Sequence, residues 1–141
     1  MIKPLPEPGD LMSLVLRTDF SDDAAWDAVR AAIDGHAGEY PDADYVDDPA
    51  YAGVTVEALV EADAAAPERA KVTYLFLADA TTMADPEHAL LAVDLYIEPG
   101  RTMRVLPSCF SDVSVNVSLG NMDFAEFADN ADEAGTFRGF D

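Results

Sequence analysis

Four apolar runs of strand length constrain the fold of this chain more than any other feature. They read LMSLVLRTDF from Leu11, KVTYLFLAD from Lys71, ALLAVDLYI from Ala89 and RTMRVLP from Arg101, and β-branched and bulky apolar residues dominate them. The first predicts a strand over about residues 11–18, and the other three predict neighbouring antiparallel strands, the last two joined by a turn at EPGR. A fifth segment, DVSVNVSLG, alternates strictly: Val113, Val115, Val117 and Leu119 fall on one side and Ser114, Asn116 and Ser118 on the other. That pattern predicts a half-buried strand.

Between these runs the hydrophobic period changes to that of a helix. In SDDAAWDAVRAAID, Ser21 is placed to cap, Asp22 and Asp23 fall in the first turn near the positive end of the helix dipole, and Trp26, Val29 and Ile33 share a face. Gly35 is the expected stop. Thr55 is the expected cap of a second helix over residues 55–64, with Val54 placed to staple onto Leu59. Asp123 followed by Glu126 forms a capping box for a third helix, Met122 is set to staple onto Phe127, and Phe124, Phe127, Ala128 and Ala131 form its apolar stripe. The order predicts an α/β (α+β) fold, with a mixed, largely antiparallel sheet and about three covering helices. Residues 1–10 read as a lead-in, residues 11–141 as one domain, and residues 35–50 as a loop-like stretch within it.

Eight lysines and arginines stand against 28 acids, a formal net charge of −20. This balance argues against direct binding to nucleic acid or to an anionic membrane, both of which are held by clustered Lys and Arg. The arginines at 17, 30, 69, 101, 104 and 138 are scattered. Cys109 is the single cysteine, so neither an intrachain disulfide nor a multi-cysteine metal site is available. No cationic neighbour is evident that would activate it, and a buried, inert thiol is expected. No apolar stretch is long enough to span a bilayer and the first residues lack a signal-peptide core, which points to a cytoplasmic protein.

Little in the chain carries chemistry by motif: there is no glycine-rich phosphate loop, no helical His pair and no nucleophile elbow. His36 and His88 both fall in expected loops beside acids, where a solvated role is the ordinary one. Asp19 and Asp79 follow strand-like runs and Asp94 lies within one, positions that often line a ligand crevice in α/β sheets. If the strands that precede Asp19 and Asp79 were parallel neighbours, the two carboxylates would converge on a divalent cation such as Mg²⁺, joined by Asp22 or Asp23. The alternative is that these carboxylates are solvated or capping groups, with Thr81 or Thr82 bonding back to Asp79 in a turn. Asn116 and Asn121 are weaker contact candidates beside ordinary strand and turn roles. No catalytic residue, cofactor or cofactor site is expected.

The segments LVLRTDFSDDAAWDAV, YVDDPAYAGVTVEALV, YLFLADATTM, LLAVDL and NMDFAEFADNADEAGTFRGF together resemble an uncharacterised family of small acidic actinobacterial proteins, a domain of unknown function, over nearly the whole chain from Leu11. The resemblance implies a bacterial, high-GC, cytoplasmic origin and no activity. The ending VNVSLGNMDFAEFA is also loosely similar to small acidic immunity and antitoxin-like proteins. The expectation is an interaction module that binds or blocks a basic protein. Its alternatives are a small metal-dependent or ligand-binding enzyme using Asp19 and Asp79, and a sensory or scaffold domain whose acidity is background.

Overall fold

The computed structural model describes residues 2–37 and 43–140, so part of the loop-like stretch expected over residues 35–50 lies outside the described residues. In order, the elements are β1 (Ser13–Arg17), α1 (Asp23–His36), β2 (Ala43–Val46), α2 (Val56–Ala65), β3 (Tyr74–Ala78), α3 (Ala80–Ala84), β4 (Leu90–Asp94), β5 (Thr102–Val105), α4 (Phe110–Leu119), α5 (Phe124–Ala128) and β6 (Thr136–Phe137). Among the described residues six strands form one mixed sheet in the order β2-β1-β3-β4-β5-β6. β1 runs parallel to both β2 and β3, the β3-β4-β5 meander is antiparallel as expected, and β5 and β6 are parallel. The sheet is mixed, as the order of elements predicts, and more parallel than expected, because the short strands β2 and β6 both pair in parallel.

Strand alternation divides the interior into two layers. Val15, Phe76, Ala92 and Met103 stand in register across β1, β3, β4 and β5, and they face Trp26, Val29 and Ile33 of α1 with Phe110, Val113 and Val117 of α4. Leu14, Leu75 and Val93 form the adjacent row on the opposite face, packed with Leu59 of α2 and Tyr51. The helices thus cover both faces of the sheet, and truncating a central side chain such as Phe76, which is 1% exposed, is expected to cost about 3–5 kcal/mol.

The DVSVNVSLG segment is a helix, not the expected strand. Phe110, Val113, Ser114 and Val117 recur at helical spacing and are buried, while Gly120 closes α4 in the left-handed conformation at φ 72°. The alternating valines satisfy both periods, since Val113 and Val117 are four apart, and the preceding Phe110 tips the choice by completing an apolar helical face. A buried hydrogen bond of 2.7 Å between the Ser13 and Ser114 hydroxyls ties α4 to β1.

Smaller differences have local causes. Asp22, not Ser21, caps α1, accepting from the Ala25 N–H at 3.0 Å, and α1 runs through Gly35 to His36, which therefore ends a helix instead of lying in a loop. Thr55 caps α2 as expected. The box at α5 forms, with Glu126 accepting from the Asp123 N–H at 2.8 Å, but the helix ends at Ala128 and leaves Ala131 beyond it. Cys109 is buried with a free thiol.

Candidate functional site: the carboxyl edge and the apolar end

Because α1 and α2 cross on opposite faces, the ends of β1 and β3 form the point where chain direction diverges, the place where open α/β sheets commonly bind ligands. The loop after β1 carries Asp19 and Asp22, α1 opens on Asp23, the loop after β2 carries Asp47 and Asp48, and Asp79 follows β3. The parallel neighbours on which an Asp19 and Asp79 pairing depended are present, and the Thr18 N–H donates to the Ala78 carbonyl at 3.0 Å to join the two loops.

Arg17, 3% exposed, lies beneath this edge. Its guanidinium stacks over Phe20 at 4.5 Å and over Trp26 at 5.6 Å, and each of its nitrogens is used: Nε donates to the Asp19 carbonyl at 2.9 Å, Nη2 to Asp23 at 2.7 Å and Nη1 to Asp47 at 3.3 Å. One buried cation therefore gathers the loops after β1 and β2, its charge already faced by the Asp23 and Asp47 carboxylates.

Asp79 is closed in the same way. It caps α3 through the Thr82 N–H at 3.0 Å, accepts the Thr82 hydroxyl at 3.0 Å, and takes two Arg104 nitrogens, one on each oxygen, at 2.9 Å. Burial opposes its ionisation, but the Arg104 guanidinium and the Thr82 N–H outweigh that and hold the carboxyl below its ordinary range. Thr82 thus bonds back to Asp79 as expected, in the first turn of a short helix. Asp19 accepts from the Ser21 N–H at 3.0 Å, a local turn bond.

Asp94 lies at the other end of the sheet. It pairs in register with Tyr74, the first residue of β3, so it stands about 16 Å from the Asp79 edge at the usual strand rise. Buried to 1% exposure, its carboxylate accepts from the backbone N–H groups of Tyr96, Ile97 and Glu98 at 2.8, 3.2 and 3.0 Å. It organises the β4–β5 turn. Among the described residues, no three or more of His, Cys, Asp and Glu are grouped to hold a metal ion. His88 Nδ1 lies 3.0 Å from the Thr82 carbonyl and His36 is exposed, while Asn116 donates to the Asp112 carbonyl one turn back.

The sequence reading missed two surface features. The first is charge segregation. Lys3, Arg17, Arg30, Arg101, Arg104 and Arg138 are each paired with an acid within the chain, and Lys71 donates to the α2 carbonyls of Asp63 and Ala64. The second is an apolar end. Leu11, Tyr96, Ile97 and Leu119 are all more than half exposed, and they follow or precede elements that meet at the amino ends of β1 and β3. Composition reports neither, since both depend on which side chains the fold turns outward. A separate open groove of about 750 Å³ lies between Ile2, Pro4 and Leu5 and the alanine-lined face of α2.

A family model for a domain of unknown function, DUF6924, matches residues 12–140. The chain belongs to that family. This match bears out the likeness to an uncharacterised domain family over nearly the whole chain. A search of curated proteins returned no match. No helix among the described residues is long and apolar enough to cross a membrane.

Proposed function

We propose that this member of the DUF6924 family is a non-enzymatic interaction domain that presents carboxylates to a basic protein. The observation that carries the reading is the internal use of its cations: 28 acids face only eight Lys and Arg, and among the described residues six of those eight are held in intramolecular ion pairs. The net charge of −20 is then carried by unmatched carboxylates, which accelerates encounter with a positively charged surface and disfavours polyanions. The ion pairs at Arg17 and Arg104 support the same reading, because the charge of each guanidinium is already faced by carboxylates of the chain itself. A cytoplasmic, high-GC bacterial setting fits the alanine- and aspartate-rich composition and the buried single thiol, and it would account for part of the acidity.

The test is recovery from native cytoplasm at physiological salt, beside an acidic control protein of matched charge. Enrichment of one basic protein over the control supports the reading, whereas an identical set on both sinks it.

The shared edge of Asp19 and Asp79 keeps a second reading in play, a divalent-cation or small-ligand site. It requires Arg104 to release Asp79. A saturable rise in melting temperature with Mg²⁺ or Mn²⁺, beyond that of monovalent salt and abolished by Asp79→Asn, would establish it.

A further inference from the structure

Four of the five large hydrophobic side chains that stand exposed among the described residues, Leu11, Tyr96, Ile97 and Leu119, collect at one end of the sheet. Leu11 precedes β1, Leu119 ends α4, and Tyr96 and Ile97 occupy the β4–β5 turn. Tyr74 packs edge-on against Tyr96 at 6.3 Å and lines a shallow depression with Met12, the residue after Leu11, and with Val117 and Ser118, the residues before Leu119. Isolated exposed hydrophobics are ordinary, but bulky ones grouped at one end of a small acidic domain mark an interaction surface.

The turn is rigidly built. A buried Asp94 carboxylate binds three consecutive N–H groups, and the Gly100 N–H closes back on the Asp94 carbonyl at 2.8 Å with Gly100 at φ 95°. Tyr96, 64% exposed, and Ile97, 52% exposed, are thereby held out with little backbone freedom to lose on binding. Acids surround them: Asp10 beside Leu11, Glu98 beside Ile97, and Asp123 near the Tyr74 ring. The cation at the base of the turn, Arg101, is already paired with Glu98 and Asp129.

We infer that this end is the docking surface for the basic partner, with Tyr96 and Ile97 as its apolar anchors and the surrounding carboxylates as its rim. The inference rests on the interaction reading above and names the surface that reading leaves open. The occupant is a protein segment with an apolar stripe flanked by Lys or Arg. A second copy of this chain is the wrong complement, because it brings another −20 charges and the same acidic rim.

The probe is a short synthetic amphipathic peptide with leucines on one face and lysines on the other, compared with a scrambled peptide of the same composition. Binding is followed at physiological salt by backbone-amide NMR shifts. The expected result is saturable binding of the amphipathic peptide alone, with shifts at residues 11–12, 95–98 and 117–119. Tyr96→Ser and Ile97→Ser, both at exposed positions that leave the core intact, should each weaken it by about tenfold. Shifts confined to residues 19–23 and 47–48, or equal binding of both peptides, overturn the inference while leaving an acidic interaction domain standing. Absence of binding by either peptide overturns both. Self-association in sedimentation, lost in Tyr96→Ser, would make a second copy the occupant and also overturn it.

Discussion

Arg104 clasps Asp79 through both terminal guanidinium nitrogens at 2.9 Å, fastening β5 to the cap of α3 across the end of β4. Both side chains are about three-quarters buried, so the pair is shielded from solvent to a degree that surface pairs are not. Asp79→Ala removes a helix cap and leaves Arg104 without its partner. Its expected cost is about 2–4 kcal/mol, read as a shift in the denaturation midpoint. Adding Arg104→Met should cost less than the sum of the two single changes, since the second removes a cation already orphaned. Strict additivity would mean that the two groups do not interact.

Asp79 also sets an acid limit. Its folded pKa lies below its ordinary 3.8, so the stability it contributes is present above that ordinary value and is lost as pH falls through the folded one. Asp48, Glu87 and Asp132 are lowered in the same direction by Lys3 and Arg138. Mild acidification from neutrality relieves carboxylate repulsion first. The melting temperature should therefore rise toward about pH 5 and fall below about pH 4, with Asp79→Asn showing the shallower acid fall. A steady decline from pH 7 downward would contradict this.

The Ser13 and Ser114 hydroxyls satisfy each other in the core, with Ser13 3% and Ser114 0% exposed. Ser114→Ala alone should cost about 1–2 kcal/mol, because the remaining hydroxyl is buried without a partner, whereas Ser13→Ala with Ser114→Ala should be nearly neutral. Chemical denaturation of the three variants checks the ordering. A double variant as unstable as the single one would show that the hydroxyls are not mutually dependent.

Salt should stabilise the fold between low and moderate ionic strength. With a net charge of −20 on 141 residues, repulsion among exposed carboxylates outweighs the few ion pairs that salt weakens. The check is a melting temperature that increases over that range. A flat or falling trend would mean that the acids are too well separated or too well paired to repel.

Local physics carried much of the fold in the primary sequence. The strand-length runs became β1, β3, β4 and β5, Thr55 capped α2, and the Asp123–Glu126 box opened α5, because each depends on residues within a few positions of one another. The parallel neighbourhood of β1 and β3 stood in the sequence only as a condition, and the β1–β3 pairing itself supplies it. DVSVNVSLG was misread because its valines fit two periods, and only Phe110 packed against Phe76 at 4.6 Å, together with Ser114 bonded to Ser13, decides for the helix. β2 and β6 are four and two residues long, too short to carry a period of their own, and exist because β1 and β5 supply their hydrogen-bond partners.

The site divides in the same way. That Asp19 and Asp79 follow strands and that Asp94 belongs to one was legible, and so was the excess of acids. What each carboxylate does was not, because its partner is remote in sequence or belongs to a turn only folding forms: Arg104 stands 25 positions from Asp79, and Asp94 finds three N–H groups that converge only when the β4–β5 turn closes. Sequence alone determined how many charges and apolar residues the surface and core would have to share. Tertiary structure decided which acid each paired cation would meet, that Arg17 and Asp94 would be buried, and that Leu11, Tyr96, Ile97 and Leu119 would stand exposed, since proximity between distant residues is created by packing and not by spacing along the chain.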